Sequence, residues 1–226
     1  MYNEKHSFYF DEQNENLNTF FAKTFKWMFL GLFITAITAI LTVALVPFDF
    51  FSNWTILFLS LTELILVIIF SKKFSKVSST AATIMYIVLT LVNGIFFSSI
   101  FYCYNIAQIG LSFAYASLVF AAMALYGYKT KKDLTKLAPW LLIALLICLI
   151  SLFINLMLNN TIFDILISFA VIIVMCIVTA YNIHCMKHKE LQKLNNAHIY
   201  FAFSIYLDFL NIFLYILRLF GIKVKD

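Results

Sequence analysis

An acid inside the last apolar segment is the residue with the clearest chemical meaning. Asp208 lies within segment 199–220, which is long enough to cross a bilayer. A carboxylate at the centre of a membrane helix costs roughly 2.5–3.5 kcal/mol on insertion scales, so it normally faces protein, water or an ion. Helical spacing places further polar residues on or near its face: Ser204, Asn211, Tyr215 and Arg218. The segment therefore predicts a polar stripe inside hydrocarbon.

Two more polar residues in apolar segments are candidates for the same site. Glu63 could take part in an ion or proton relay with Asp208, or it could be a buried carboxyl bonded to a hydroxyl such as that of Thr62. Asn182 could face Asp208 across a helix bundle, or it could make an ordinary interhelical hydrogen bond. Carboxylate oxygens are ligands that calcium prefers, so we expect transient calcium binding at Asp208 and Glu63.

Other polar residues favour structural interpretations. His184 and His188 share a helix face next to Cys185, but neighbouring lysines repel cations, so we expect no tightly bound metal. Asn93 gives the third apolar segment a small polar face, which is typical of close helix packing. Asp164, at the outer end of the sixth segment, is expected to be solvated. No motif for a phosphate loop, a zinc hydrolase or a serine nucleophile is present, so we expect neither an enzyme nor a cofactor.

Composition indicates an integral membrane protein. Hydrophobic residues make up 63% of the 226 residues, charged residues make up 12%, and the mean hydropathy is +0.94. Soluble domains carry about 25% charged residues. The net charge of +5 does not indicate a nucleic-acid partner, because the lysines lie between apolar segments. We therefore expect the protein to lie in the lipid bilayer.

Seven apolar segments predict an all-α membrane protein with seven transmembrane helices. We expect a polar N-terminal region at 1–24, a seven-helix domain at 25–220 and a short basic tail at 221–226. The polar stripe favours a bundle in which six helices surround the C-terminal seventh. The predicted spans are 25–46, 54–70, 80–102, 107–127, 138–158, 162–183 and 199–220.

The basic residues predict a cytoplasmic N-terminus. All sixteen of them, except Arg218, Lys223 and Lys225, precede or open the first span or lie in alternate connections, which the positive-inside rule places in the cytoplasm. Seven crossings place the three exceptions on the outside. The last helix therefore either crosses against the rule or enters the membrane and returns.

Three stretches together resemble the Bax inhibitor-1 family. They are residues 25–35, 126–134 and 206–221, and their order and spacing agree with the family across nearly the whole chain. The resemblance implies six helices around a central seventh. It also implies a calcium function, because bacterial members are described as pH-sensitive calcium leak channels. Eukaryotic members are described as lowering calcium stores and restraining cell death, and some bacterial relatives as modulating a membrane-bound protease.

The family's proton switch is a pair of aspartates, and this chain matches only one of them. Asp208 matches the aspartate of the seventh helix, whereas the position after Ala180 and Tyr181 holds Asn182. Two carboxylates in contact do not easily both ionise, so they share a proton, and an Asp–Asn pair lacks that repulsion. The resemblance also implies that a basic residue near Lys72 or Lys73 acts as a latch. The sequence does not assign this role to either lysine.

We therefore expect a calcium-permeable cation leak channel, with pH gating weakened by Asn182, in a bacterial cytoplasmic membrane. The alternative is a non-conducting regulator that binds another membrane protein, either a membrane-bound protease or a cell-death factor.

Overall fold

The protein is helical throughout the part of the chain that the structure describes. This computed structural model describes residues 2–74, 76–158, 160–192 and 195–221. Seven long helices account for most of these residues: α1 (Tyr2–Leu45), α2 (Asn53–Lys73), α3 (Ser79–Ser98), α4 (Ile106–Lys129), α5 (Ala138–Leu158), α6 (Thr161–Cys185) and α7 (Ala197–Phe220). Short helices span Ile100–Cys103 and Lys189–Gln192, and 3-10 turns span Phe48–Phe50 and Thr135–Leu137.

These helices confirm the predicted all-α class and lie on the predicted segments. Five stretches are long and apolar enough to cross a membrane. They are Leu17–Leu45, Ser79–Cys103, Ile106–Lys129, Thr161–Cys185 and Ala197–Phe220. Their number makes the chain a multi-pass membrane protein. A membrane crossing by α2 and α5, which occupy the other two predicted spans, stays a prediction.

Two segments differ from their predicted extent. α1 begins at Tyr2, well before the predicted span at 25–46, because the polar residues ahead of that span continue the helix. The predicted boundary at residue 24 therefore falls inside a continuous helix, and the division into regions stays a prediction. The third segment, 80–102, is interrupted after Ser98, and the short helix Ile100–Cys103 completes it. Residues 222–226 of the predicted basic tail lie outside the described residues.

Polar side chains cap the starts of several helices. Asn105 Oδ1 accepts from the backbone N–H of Gln108 at 2.9 Å before α4. Asn160 Oδ1 accepts from the N–H groups of Ile162 and Phe163 at 2.9 and 3.1 Å before α6. Each bond satisfies an amide that the helix itself leaves unpaired. The caps explain why the helices begin where the apolar runs begin.

The last helix is the most buried. In α7, 72% of the apolar stretch is buried, compared with 44% in the next most buried stretch, Ser79–Cys103. The helix packs against α1, α4 and α6, with a smaller contact on α3. A helix that is buried on nearly all sides belongs to the interior of a protein rather than its surface.

Hydrogen bonds join the lysine-rich connections to one another at one end of the bundle. The Lys187 ammonium donates to the carbonyls of Tyr128 and Thr130 at 3.0 and 2.9 Å, which joins the α6–α7 connection to the α4–α5 connection. Asn196 Nδ2 donates to the carbonyls of Phe74 and Val77, both at 3.0 Å, which adds the α2–α3 connection. Asn196 itself has φ 61°, a left-handed conformation that asparagine tolerates.

The opposite end gathers the remaining connections and the end of α7. Tyr102 donates to the carbonyl of Val46 at 2.9 Å, which ties the α3–α4 connection to the end of α1. Arg218, in the last turn of α7, pairs with Asp164 in the first turn of α6. The helix α7 therefore runs from the lysine-rich end to the other end without returning. This corrects the alternative in which the last segment enters and turns back.

Close helix contacts depend on glycine at two positions. A Cβ on Gly94 would lie 2.8 Å from Thr38 Cγ2 and 2.9 Å from the Thr35 carbonyl, so α3 and α1 meet backbone to backbone there. A Cβ on Gly127 would lie 2.9 Å from Ala180 Cα, where α4 meets α6. Both approaches are too close for any side chain.

We predict that Gly94→Ala destabilises the bundle and that Gly110→Ala does not. Alanine favours a helix by roughly 0.5–1 kcal/mol over glycine, but overpacking at Gly94 should cost roughly 1–3 kcal/mol. Gly110 also lies in a helix, yet a Cβ there meets nothing within 4 Å. Thermal unfolding of the purified protein in detergent gives the comparison. Equal melting temperatures for the two variants would contradict the close α1–α3 contact.

Candidate functional site

The centre of the site is a buried carboxylate paired with an amide. Asp208 lies near the middle of α7 and is 3% exposed. Asn182, close to the C-terminal end of α6, donates from Nδ2 to Asp208 Oδ2 at 2.7 Å. Of the predicted site residues, these are the two that the structure brings into direct contact. The pair offers carboxylate and amide oxygens, which suit a hard cation.

Two other residues of the predicted stripe make hydrogen bonds within their own helix and not to Asp208. Ser204 Oγ donates to the Tyr200 carbonyl at 3.1 Å, and Asn211 Nδ2 donates to the Leu207 carbonyl at 2.9 Å. Both bonds stay within α7, where they satisfy the polar side chain against its own helix. Tyr215 is buried. These side chains make α7 polar, and their part in the Asp208 site stays a prediction.

Arg218 forms a second polar centre with Asp164 at the far end of α7. Its Nε donates to Asp164 Oδ2 at 2.8 Å, and its Nη2 bonds Asp164 Oδ1, so the contact is bidentate. Asn155 Nδ2 also donates to Asp164 Oδ1 at 2.9 Å. The side chains of Arg218 and Asp164 are 33% and 25% exposed. The sequence predicts that water solvates Asp164, and the two side-chain partners are additional to that prediction.

Glu63 lies on another helix, α2, where its side chain is half-buried. The main packing contact of α2 is with α3, whereas Asp208 bonds a side chain of α6. A shared pathway for Glu63 and Asp208 stays a prediction.

The histidines near the lysine-rich end form a ring contact. The rings of His184 and His188 lie 5.4 Å apart and meet edge to face. Across the part of the chain that the structure describes, no group of three His, Cys, Asp or Glu residues could hold a metal ion. In the neighbouring loops, burial lowers the pKa of Lys187, and hydrogen bonds from Thr135 lower the pKa of Asp133.

Sequence reasoning named Asp164, Arg218 and Asn93 but missed two features of them that the structure makes prominent. Asp164 and Arg218 are 54 positions apart, so nothing local in the chain indicates their pairing. Asn93, interpreted as a packing residue, is 0% exposed, and neither of its side-chain polar atoms has a hydrogen-bond partner among the described residues. The signal for Asn93 was an amide in an apolar segment, which is the same kind of signal that singled out Asp208.

Comparison with known proteins identifies the family of the chain. A family model described as inhibitor of apoptosis-promoting Bax1 matches residues 17–225. The chain belongs to this Bax inhibitor-1 family. This confirms the resemblance that the three sequence stretches indicated. The match includes α7, the pair formed by Asp208 and Asn182, and the ion pair at the other end.

Bacterial relatives of this family member align over nearly their whole length. The inner membrane protein YbhL of Escherichia coli K12 is 31% identical over 215 residues, which cover 91% of this chain and 92% of YbhL. A protein of Borreliella burgdorferi is 29% identical over 218 residues, covering 92% of this chain and 94% of the relative. The protein RP147 of Rickettsia prowazekii is 29% identical over 218 residues, covering 92% and 91%. None of these descriptions names a catalytic activity.

We predict that Arg218 and Asp164 are energetically coupled. Replacing either partner leaves the other charge without its bidentate contact, whereas replacing both removes the mismatch. A double-mutant cycle of Arg218→Ala and Asp164→Ala, measured by thermal unfolding in detergent, should give a coupling of roughly 1 kcal/mol. Additive effects of the two substitutions would show that the pair does not hold α6 and α7 together.

Proposed function

We propose that the protein is a calcium-permeable cation leak channel of a bacterial cytoplasmic membrane. The observation that carries the proposal is Asp208, a carboxylate that is 3% exposed in the middle of the most buried helix. An acid at such a position normally marks an ion or proton pathway, because its insertion is otherwise a pure cost. Its carboxylate and the amide oxygen of Asn182 would give a passing calcium ion the ligands it prefers.

The proposed architecture is seven transmembrane helices, with six arranged around α7. Its support is the burial of α7 and its contacts with α1, α3, α4 and α6. The proposed orientation places the lysine-rich end, together with the N-terminus, in the cytoplasm, following the positive-inside rule. The bacterial location follows the E. coli relative, which is described as an inner membrane protein.

Asn182 is proposed to weaken the pH gating that the family resemblance implies. Its amide donates to Asp208 in the position where a second carboxyl would share a proton with it. An amide does not titrate, so the pair can exchange one proton at most. The proposed channel therefore responds to pH less steeply than one with two aspartates.

A non-conducting regulator is the alternative function. In that case the polar contacts of α7 serve only to hold the bundle, and the protein acts through a membrane-bound protease or another membrane partner. The pair of Arg218 and Asp164, which joins α6 to α7, favours this alternative as a structural use of polar groups in the bundle. Calcium flux separates the two functions.

We predict that Asp208→Asn lowers calcium entry into liposomes that contain the purified protein and a trapped calcium dye. Loss of the negative charge should reduce flux at least about tenfold, which corresponds to roughly 1.4 kcal/mol of lost ion stabilisation. Asp49→Asn is the matched control, because Asp49 is an exposed acid in the α1–α2 connection. The channel proposal fails if wild-type liposomes admit no more calcium than empty ones, and the regulator then becomes the favoured function.

We predict that Asn182→Asp steepens the pH dependence of that flux. The new carboxyl would contact Asp208, and two carboxyls in contact share a proton near neutral pH because they do not easily both ionise. The same liposomes, assayed at several pH values on both sides of neutrality, compare the variant with the wild type. Asn182→Gln, which keeps the amide, should leave the profile unchanged. Superimposable profiles for wild type and Asn182→Asp would disprove the role given to Asn182.

A further inference from the structure

A second cluster of buried polar side chains lies where α1, α3 and α7 meet. Tyr206 is 0% exposed, and its hydroxyl oxygen lies 2.6 Å from Thr35 Oγ1. Thr35 Oγ1 donates its single hydrogen to the Thr90 carbonyl at 3.1 Å. Tyr206 must therefore be the donor in its contact with Thr35, because a hydroxyl carries one hydrogen. The phenol oxygen of Tyr206 remains able to accept a hydrogen bond.

The amide of Asn93 adjoins this oxygen. Asn93 is 0% exposed and lies on α3 two turns after Tyr86, whose ring packs edge to face on Tyr206 with centroids 5.8 Å apart. Among the described residues, neither its Nδ2 nor its Oδ1 has a partner within ordinary hydrogen-bond geometry, and its interaction with the Tyr206 hydroxyl falls outside that geometry. An asparagine side chain carries two donor hydrogens and an acceptor oxygen, and buried groups of this kind are nearly always bonded. Within hydrocarbon the requirement is stricter, because lipid supplies no partner.

Water is the ligand that fits these groups. A water molecule both donates and accepts, so it can serve the Nδ2 hydrogens, the Oδ1 oxygen and the Tyr206 oxygen at once. A cation suits the site poorly, because the Nδ2 hydrogens carry positive partial charge. We propose that Asn93 binds ordered water at this junction, and that this water bridges Asn93 to Tyr206.

The proposed site is separate from Asp208. Tyr206 and Asp208 are two positions apart on α7, so they point about 200° away from each other around the helix. Their contacts agree with this separation, because Tyr206 bonds Thr35 of α1 and Asp208 bonds Asn182 of α6.

Radiolytic footprinting of the unlabelled protein tests the proposal. Brief X-ray exposure turns bound water into hydroxyl radicals, which oxidise the side chains beside it, and tandem mass spectrometry locates the products. We expect Tyr206 to be oxidised several-fold faster than Phe203, another buried aromatic of α7, which stacks on Phe70 with ring centroids 4.3 Å apart. Asn93→Leu, which is similar in size and cannot bind water, should lower Tyr206 oxidation to the level of Phe203.

Asn93→Ser is the control for correct folding and for the space that the water occupies. Serine keeps a hydroxyl and leaves room for water, so Tyr206 oxidation should persist in that variant. The proposal is overturned if wild-type Tyr206 is as unreactive as Phe203, or if Asn93→Leu leaves Tyr206 oxidation unchanged. The assay does not depend on calcium passage, so its outcome is independent of the proposed channel function.

Discussion

A helix that carries a carboxylate must be enclosed by other helices if it lies within hydrocarbon, and the fold depends on this constraint. α7 contains Asp208, and most of its apolar stretch is buried against α1, α4 and α6. Lipid competes poorly for such a helix, because hydrocarbon cannot satisfy its polar groups. Large exposed apolar side chains on other helices, such as Phe33 on α1 and Leu118 on α4, are suited to contact lipid.

Polar side chains on α7 are satisfied in three different ways. Ser204 and Asn211 bond carbonyls of their own helix, which requires no neighbour. Asp208 and Arg218 bond side chains of α6, and Tyr206 bonds α1. The interhelical bonds fix both the rotation of α7 and its position along its axis, since each joins a defined point on a partner helix. Apolar packing alone fixes neither as strictly in a membrane, where lipid and side chains are equally apolar.

Sequence reasoning located the helices and one contact, and the reasons for its limits are physical. Apolar runs reveal helices directly, so α5 was predicted with its observed bounds, Ala138–Leu158. The same signal does not report polar helical residues, and the extension of α1 back to Tyr2 was missed. The contact between Asn182 and Asp208 was anticipated through the family's paired positions. Which helix faces pack against each other decides that Asp164 pairs with Arg218 and that the Asn93 amide lacks an ordinary hydrogen-bond partner. Local spacing in the sequence does not encode that arrangement.

The ion pair between Asp164 and Arg218 bears on how the protein would respond to a membrane potential. Moving one elementary charge through the full potential changes the energy by about 2.3 kcal/mol per 100 mV. Arg218 is the single cation on α7, and its bidentate partner on α6 cancels its charge. A displacement of α7 that carries Asp164 along therefore transfers no net charge from this pair across the field. Voltage would act on Arg218 only through motions that separate the two side chains, and the strength of the pair sets how much Arg218 adds to the electrical sensitivity of the helix.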